Sequence, residues 1–417
     1  MPVTLDILEV GARGDGVGDA GGRRYFVPFS LPGETVTAEP IDERGGGVVA
    51  RLIEVLAPSR HREPPPCAHF TVCGGCALQH WRRDAYTAWK VGLITRALEQ
   101  RGVGLPTFEP PLVGAPGERR RADFVIRRQG RRVLAGFHER ASPRLVDVGT
   151  CVVAAPALNG LLEPLRKALA GVLPDGAAAD AVVNQTDSGL DVLIRPHKRL
   201  DLSVERRQAL VGLAERADLA RLSWGDRAGA EPVVMRRTPV LAFGEVTVVP
   251  PPGAFLQATR RGEQAMRAAV GAWTGTASRL VDLFAGLGSL SLGRAGRLAL
   301  FEGDRAAVSA LDEVARRQGS NRITAERRDL FRNPLTAREL GAFDAALLDP
   351  PRAGALAQVG EVGRSSVARV VYGSCDPGSF SRDARSLQDA GYRLEKLLPI
   401  DQFLWSGHVE LIALFAK

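Results

Sequence analysis

The stretch RLVDLFAGLGSLSLG, residues 279–293, decides the fold. Residues 279–284 are a mostly apolar run that suits a buried strand, Gly286 and Gly288 permit a tight turn, and the residues beyond predict a helix. Such a turn presents backbone N–H groups at a strand tip and lets a ligand approach the chain closely. Sixteen residues after Gly286, the next strand-like run, LALFEGD, reaches Glu302. An acidic residue at that tip hydrogen-bonds ribose hydroxyls, so the pair points to a cofactor containing a nucleoside. The third glycine of the dinucleotide fingerprint is missing after Gly286 and Gly288, and Asp282 with Phe284 favours S-adenosylmethionine over a nicotinamide.

Working outward, strand-like runs at 298–301, 345–349, 368–374 and 411–415 alternate with helical segments. That rhythm predicts an α/β fold in which residues 246–417 form a doubly wound sheet of the class I, Rossmann-like type. Ligands in such sheets bind outside the carboxyl ends of the strands. LLDPPRAGA (347–355) puts Asp349 at one such end, with Arg352 where enzymes that methylate exocyclic amines carry an aromatic residue. RVVYGSCDPGSFSR (369–382) puts Cys375 at another. A lone thiol there reads as a small buried hydrophobe or as a nucleophile.

Methylation of a pyrimidine at carbon 5 would use such a thiol. Carbon 5 of uracil is too electron-poor to attack a sulfonium methyl unaided, whereas a thiolate added at carbon 6 makes it enolate-like. A base must then remove the carbon 5 proton. In GHVELIALF (407–415), Glu410 opens an otherwise apolar strand, where burial raises a carboxyl's pKa, and His408 orients the base or simply packs.

Residues 1–57 alternate apolar runs with glycine turns, which predicts a small β-barrel of the oligonucleotide-binding type. Gly14, Gly16 and Gly18 are read as hairpin turns, because the strand-like 25–29 follows where a phosphate loop needs a helix. Residues 57–66 are a proline-rich linker. Next comes CAHFTVCGGCALQHW (67–81), whose Cys67, Cys73 and Cys76 can converge on a soft metal centre, with Cys151 as the available fourth ligand. Four thiolates permit zinc or an iron-sulfur cluster. Residues 77–104 are helical in pattern, and 118–150 suggest an arginine-rich hairpin turning at Gln129-Gly130. Residues 58–245 as a whole read as a central α+β domain, with helices at 158–170 and 203–217 and strands at 181–185 and 191–195.

The chain has 417 residues, 55 Lys and Arg against 47 Asp and Glu, and a net charge of +8, which suits a polyanionic partner such as RNA. It lacks an apolar run long enough for a membrane helix and an apolar signal core at its start, so a cytoplasmic monomer with no membrane contact is expected. Five cysteines in such a chain argue for metal or catalysis over disulfides.

Together the motifs resemble the RNA 5-methyluridine methyltransferases, which methylate uracil carbon 5 in tRNA and 23S rRNA. CAHFTVCGGCALQH, VDVGTC (146–151), GAFLQ (253–257), DLFAGLGS, FEGD, LLDPPRAG, YGSCDP and HVE follow in the family's order over nearly the whole chain. The resemblance implies a TRAM domain at 1–57 and a [4Fe-4S] cluster on Cys67, Cys73, Cys76 and Cys151. It also implies an S-adenosylmethionine site on Gln257, Phe284, Ser289, Glu302, Asp329 and Asp349, with Cys375 as nucleophile, Glu410 as base and Arg121 near the substrate. The substrate it implies is structured RNA, 23S rRNA first and tRNA as the alternative; a non-catalytic RNA-binding protein on the same fold is the rival. The chain departs from the family in three places. Asp376 follows the nucleophile where Asn is usual, Ser289 stands where Asn is common, and Phe403-Leu404-Trp405 replaces a Phe-Pro segment.

Overall fold

The structure, a computed structural model, describes residues 1–225, 229–319 and 321–417. Alternating apolar residues close the first five strands, Val3–Val10, Asp15–Ala20, Arg23–Pro28, Thr35–Arg44 and Gly47–Ala57, into a barrel. Ile7, Val27, Val36 and Ala50 are among the residues that fill it. Gly16 and Gly18 belong to this packing: a Cβ on Gly16 would lie 2.1 Å from Ser30 Oγ, and one on Gly18 2.5 Å from Asp6 O.

The central region builds a seven-stranded sheet in the order Ala230–Met235, Arg221–Gly225, Gly189–Pro196, Ala178–Thr186, Arg121–Gln129, Arg132–His138, Leu145–Asp147. The hairpin turns where Gln129 pairs with Arg132, as the Gln-Gly signal requires. Pro156–Val172, whose leucines recur at helical spacing, and Val204–Arg216 share one hydrophobic core with this sheet. Arg221–Gly225 and Ala230–Met235 extend the sheet beyond the strands that periodicity marks.

The last sheet has eight strands, in the order Ile323–Arg327, Arg297–Glu302, Arg279–Leu283, Ala345–Leu348, Arg369–Ser374, Glu410–Ala416, Arg393–Ile400, Thr107–Phe108. The first five run parallel, and Glu410–Ala416 is antiparallel to both its neighbours. The helix expected after Gly286 does not form; residues 286–293 are a run of turns. Gly286, Gly288 and Gly293 have φ of 55°, 69° and 82°, left-handed values that break helical hydrogen bonding.

The expected helix within 77–104 is Arg83–Gln100, and it packs on the last sheet's core, where Ile94 and Leu98 join Phe380 and Leu387. Thr107–Phe108 then pairs with Lys396 and Leu397 at the sheet's edge. Lys90 on this helix is buried. It pairs with Asp401 at 2.5 Å and donates to the carbonyls of Phe403 (3.1 Å) and His408 (2.6 Å), which uses all three ammonium hydrogens. One side chain therefore fixes both ends of the 401–408 loop. Among the described residues no helix is long and apolar enough to cross a membrane.

Removing one partner of a buried ion pair leaves the other charge uncompensated, at about 3–5 kcal/mol. Lys90→Met is therefore expected to lower unfolding stability by about 3 kcal/mol in urea titrations, and the double variant Lys90→Met with Asp401→Leu should recover a large part of it. A double variant no more stable than Lys90→Met would show that the pair is not the anchor.

Candidate active site

Parallel strands deliver their last residues to one edge of a sheet, and four of them do so here. Phe284 follows Arg279–Leu283, Glu302 ends Arg297–Glu302, Asp349 follows Ala345–Leu348, and Cys375 follows Arg369–Ser374. The antiparallel Glu410–Ala416 delivers its first residue to the same edge, where Leu411 pairs with Ser374. A cavity of about 760 Å³ opens at that edge, and Gln257, Phe284, Ser289, Glu302, Asp329, Asp349, Cys375 and Glu410 all line it.

Each wall residue is held by specific partners. Glu302 accepts from Gly286 N (2.9 Å) and Asp304 N (2.8 Å), which ties the glycine turn to the next strand tip. Asp329 accepts from Phe331 N at 3.1 Å, and Phe331 meets Phe284 with ring centroids 5.3 Å apart. Phe284 itself has φ of 64°, a conformation that strains a residue with a large side chain. Asp282 lies buried beneath the turn with Ser291 Oγ at 2.5 Å, and burial pushes its carboxyl up to about 8. Asp349 accepts from Gln257 Nε2 at 3.0 Å, and burial raises its pKa.

Glu410 is buried and accepts from Gln402 Nε2 at 3.0 Å; burial and the nearby Asp349 carboxylate raise its pKa. Gln402 also donates to Gln257 Oε1 at 2.8 Å. Asp349 and Glu410 are thus joined through two amides. Gln402 gives no signal in the sequence, because its meaning comes from the pairing of Ile400 with Glu410.

The Cys375 thiol is pushed up to about 12 by burial, then by Glu410 and Asp349. Arg352 opposes this, and its effect exceeds that of Asp376. Asp376 is engaged elsewhere: its side chain accepts from Ser379 N at 2.9 Å, capping the helix Pro377–Asp389, and lies 3.5 Å from Arg352. The DPG segment therefore starts a helix, with Pro377 in its first turn, rather than a free turn. The N-terminus of that helix favours negative charge close to the sulfur.

Three adjacent arginines diverge. Arg119 lines a second cavity, and Arg120 is buried against Glu263 at 2.5 Å while donating to Gln257 O at 3.0 Å. Arg121 stands over the ring of Phe255, 4.8 Å from its centroid; Phe255 lines the first cavity and is 65% exposed.

The second cavity, about 360 Å³ with mostly apolar walls, is lined by Cys67, Cys73, Cys76 and Cys151. Gly74 N donates to His138 O at 2.9 Å, and a Cβ on Gly74 would come within 3.0 Å of that oxygen. Asn159 grips the Cys151 backbone through both its N–H (2.8 Å) and its carbonyl (3.0 Å). Burial pushes Cys76 up to about 12, and the neighbouring thiols add to the shift, so a cation among them would reverse it. Among the described residues no three such side chains are gathered closely enough to hold a single metal ion. Phe403 lines both cavities, whereas His408 meets Phe403 edge-on (centroids 5.8 Å apart) and faces the thiol side.

No family model matches the sequence. The chain is 41% identical over 417 residues to an uncharacterized RNA methyltransferase of Brucella suis, spanning 99% of this chain and 97% of the relative. It is 33% identical over 414 residues to the 23S rRNA (uracil(1939)-C(5))-methyltransferase RlmD of Aeromonas salmonicida, spanning 96% and 93% of the two chains. The crystal structure of Pyrococcus abyssi tRNA (uracil-54, C5)-methyltransferase with S-adenosyl-L-homocysteine shares the fold, with a TM-score of 0.75 over 99% of both chains at 21% identity.

Gly373 leaves the space that Asp349 occupies: a Cβ there would lie 2.6 Å from Asp349 Oδ1. Gly373→Ala is expected to displace that carboxylate and weaken S-adenosylmethionine binding about tenfold or more, as overpacking at a fixed site does. Isothermal titration calorimetry reads the change, and unaltered affinity would separate Asp349 from cofactor binding.

Proposed function

The chain belongs to the RNA methyltransferases, and from that premise we propose that it methylates carbon 5 of a uridine in RNA, with Cys375 as nucleophile and Glu410 as general base. The observation that carries this reading is the single cavity in which a strand-tip thiol, a buried carboxyl of raised pKa and the nucleoside-type wall meet.

S-adenosylmethionine supplies the electrophilic sulfonium methyl when bound, and the donor set of Gln257, Phe284, Ser289, Glu302, Asp329 and Asp349 suits its polar and aromatic parts. Cys375 Sγ adds to carbon 6, forming the S–C6 bond and moving the ring electron pair to carbon 5, which would then take the methyl as the donor's S–CH3 bond breaks and its electron pair leaves with neutral S-adenosylhomocysteine. Glu410 removes the carbon 5 proton; that pair re-forms the C5=C6 bond and expels the thiolate. The raised pKa of Glu410 suits a base that must take a weakly acidic proton and release it afterwards. Before attack, Arg352 and the helix N-terminus favour the thiolate against the two carboxylates.

A base reaches this cavity only out of its stack, so the uridine is flipped. Exposed Phe255 over Arg121 offers an aromatic face and a cation at the mouth. The four thiols suit a [4Fe-4S] cluster, which would cross-link the 67–76 segment to Cys151 and stiffen the wall shared with Phe403. The 33% identity to a 23S rRNA enzyme favours rRNA as substrate over tRNA.

Cys375→Ala is expected to abolish methyl transfer and the covalent complex with 5-fluorouridine RNA, whereas Glu410→Gln should accumulate a methylated covalent adduct. Methylation retained by Cys375→Ala would sink the mechanism. Mass-spectrometric mapping of 5-methyluridine in rRNA and tRNA from a deletion strain separates the two substrates.

For the cluster, anaerobically purified protein should carry about four iron atoms per chain and a broad visible absorbance. Cys76→Ser should lose both, and stoichiometric zinc in place of iron would exclude the cluster.

A further inference from the structure

Asp349 and Glu410 are bridged by two buried amides, and a backbone group fixes which way both of them point. Thr259 N–H can only donate, and it meets Gln402 Oε1 at 3.4 Å. Gln402 must then turn its Nε2 towards Gln257 Oε1 (2.8 Å) and Glu410 Oε2 (3.0 Å). With its oxygen taken, Gln257 must turn its own Nε2 to Asp349 Oδ2 (3.0 Å). Reversing Gln402 would set its carbonyl against the Glu410 carboxylate and leave Thr259 N–H facing an NH2 group.

The surroundings are shaped around this amide. Gln402 is 3% exposed. A Cβ on Gly262, in the first turn of the helix that Thr259 caps, would come within 3.0 Å of Gln402 Oε1. Gln402 follows the strand whose Ile400 pairs with Glu410, and its neighbour Asp401 is anchored by Lys90.

We propose that Gln402 is a positioning residue that fixes the polarity of the amide pair and aims the Glu410 carboxylate for removal of the carbon 5 proton. The inference rests on the reading of Glu410 as the base. Gln402 does not line the first cavity, though it lines the second, and it acts through Glu410 and Gln257. Its donated hydrogen bond favours the ionised carboxylate against burial and Asp349. The other charged or titratable groups around this network are the Cys375 thiol, the Asp282 carboxyl beside Asp349, the Lys90–Asp401 pair behind Gln402 and the Arg120–Glu263 pair beneath Gln257.

Two variants test the role. Gln402→Met removes the donor at similar volume, and Gln402→Glu keeps the shape and the acceptor for Thr259 N–H while replacing the NH2 group, which donates both bonds, by an oxygen that donates at most one and only when protonated. Single-turnover assays on uridine RNA should show release of 5-methyluridine slowed about tenfold or more, the expected effect of losing a hydrogen bond to a charged group. Methylated adduct should accumulate, while adduct formation on 5-fluorouridine RNA changes less than about threefold. Loss of the donor raises the carboxyl's pKa, so the base stays protonated to higher pH and the rising limb of the elimination profile moves upward, further for Gln402→Glu. If Gln402→Met does not fold, Gln402→Glu alone decides. Equal slowing of addition and elimination with an unmoved pH profile would overturn the inference and leave Gln402 with a packing role. A wild-type protein that forms neither adduct nor 5-methyluridine would overturn the proposed function, and this inference with it.

Discussion

The reversal of one strand organises the edge of the last sheet on which the larger cavity opens. A doubly wound sheet of parallel strands gathers strand ends on one side, but a residue at the start of a parallel strand lies on the other side. Glu410 begins its strand, and it reaches the Cys375 edge only because Glu410–Ala416 runs antiparallel to Arg369–Ser374. Its other neighbour, Arg393–Ile400, also runs antiparallel to it, so the chain leaving Ile400 emerges at the same edge and must turn back within the 401–408 loop. That turn brings Gln402 beside Glu410 and Phe403 between the two cavities.

The 401–408 loop is therefore a shared wall, and its sequence is shaped by what lies on each side. Leu404 and Trp405 are buried with Leu31, Leu78, Trp81 and Tyr86, joining the barrel and the cysteine segment to the last sheet. Trp405 pays for its place with φ of 60°, a strain of about 1–3 kcal/mol for such a side chain. Three hydrogen bonds hold it there: its N–H donates to Tyr86 Oη (2.7 Å), and its carbonyl accepts from Ala77 N (2.8 Å) and Leu78 N (3.0 Å). Leu404, which stands where the proline of the Phe-Pro segment would fall, is buried in this cluster beside Trp405.

The strand tips were legible because their signals are local. An apolar run ending in glycine, Asp-Pro-Pro or Ser-Cys-Asp marks a strand end whatever the rest of the chain does, and the cavity gathers those tips. The failures follow from non-local causes. Residues 286–293 lie where the βαβ rhythm calls for a helix, but three glycines with left-handed backbone prevent one. Lys90 resembles a solvent-facing helix lysine until Asp401 is placed beside it, more than three hundred residues later. Thr107–Phe108 is too short to show a period, and Gln402 sits in a loop where side-chain periodicity carries no information. Residue type marked the groups proposed to react, whereas strand register places the groups that hold them.

Asp376 shows how placement changes the meaning of a charge. From sequence, a carboxylate directly after Cys375 would oppose a thiolate there. In the fold, its oxygens are committed to Ser379 N and face Arg352, so its charge is partly neutralised, and the helix it caps directs its positive end towards the same site. An asparagine would cap the helix almost equally well but would give Arg352 no countercharge. Arg352 is the cation that most favours the thiolate, and it comes from the Asp-Pro-Pro lip on the neighbouring strand. Asp376 and Arg352 are therefore best read together: they lie 3.5 Å apart beside Cys375, and the guanidinium offsets the carboxylate's repulsion of the thiolate.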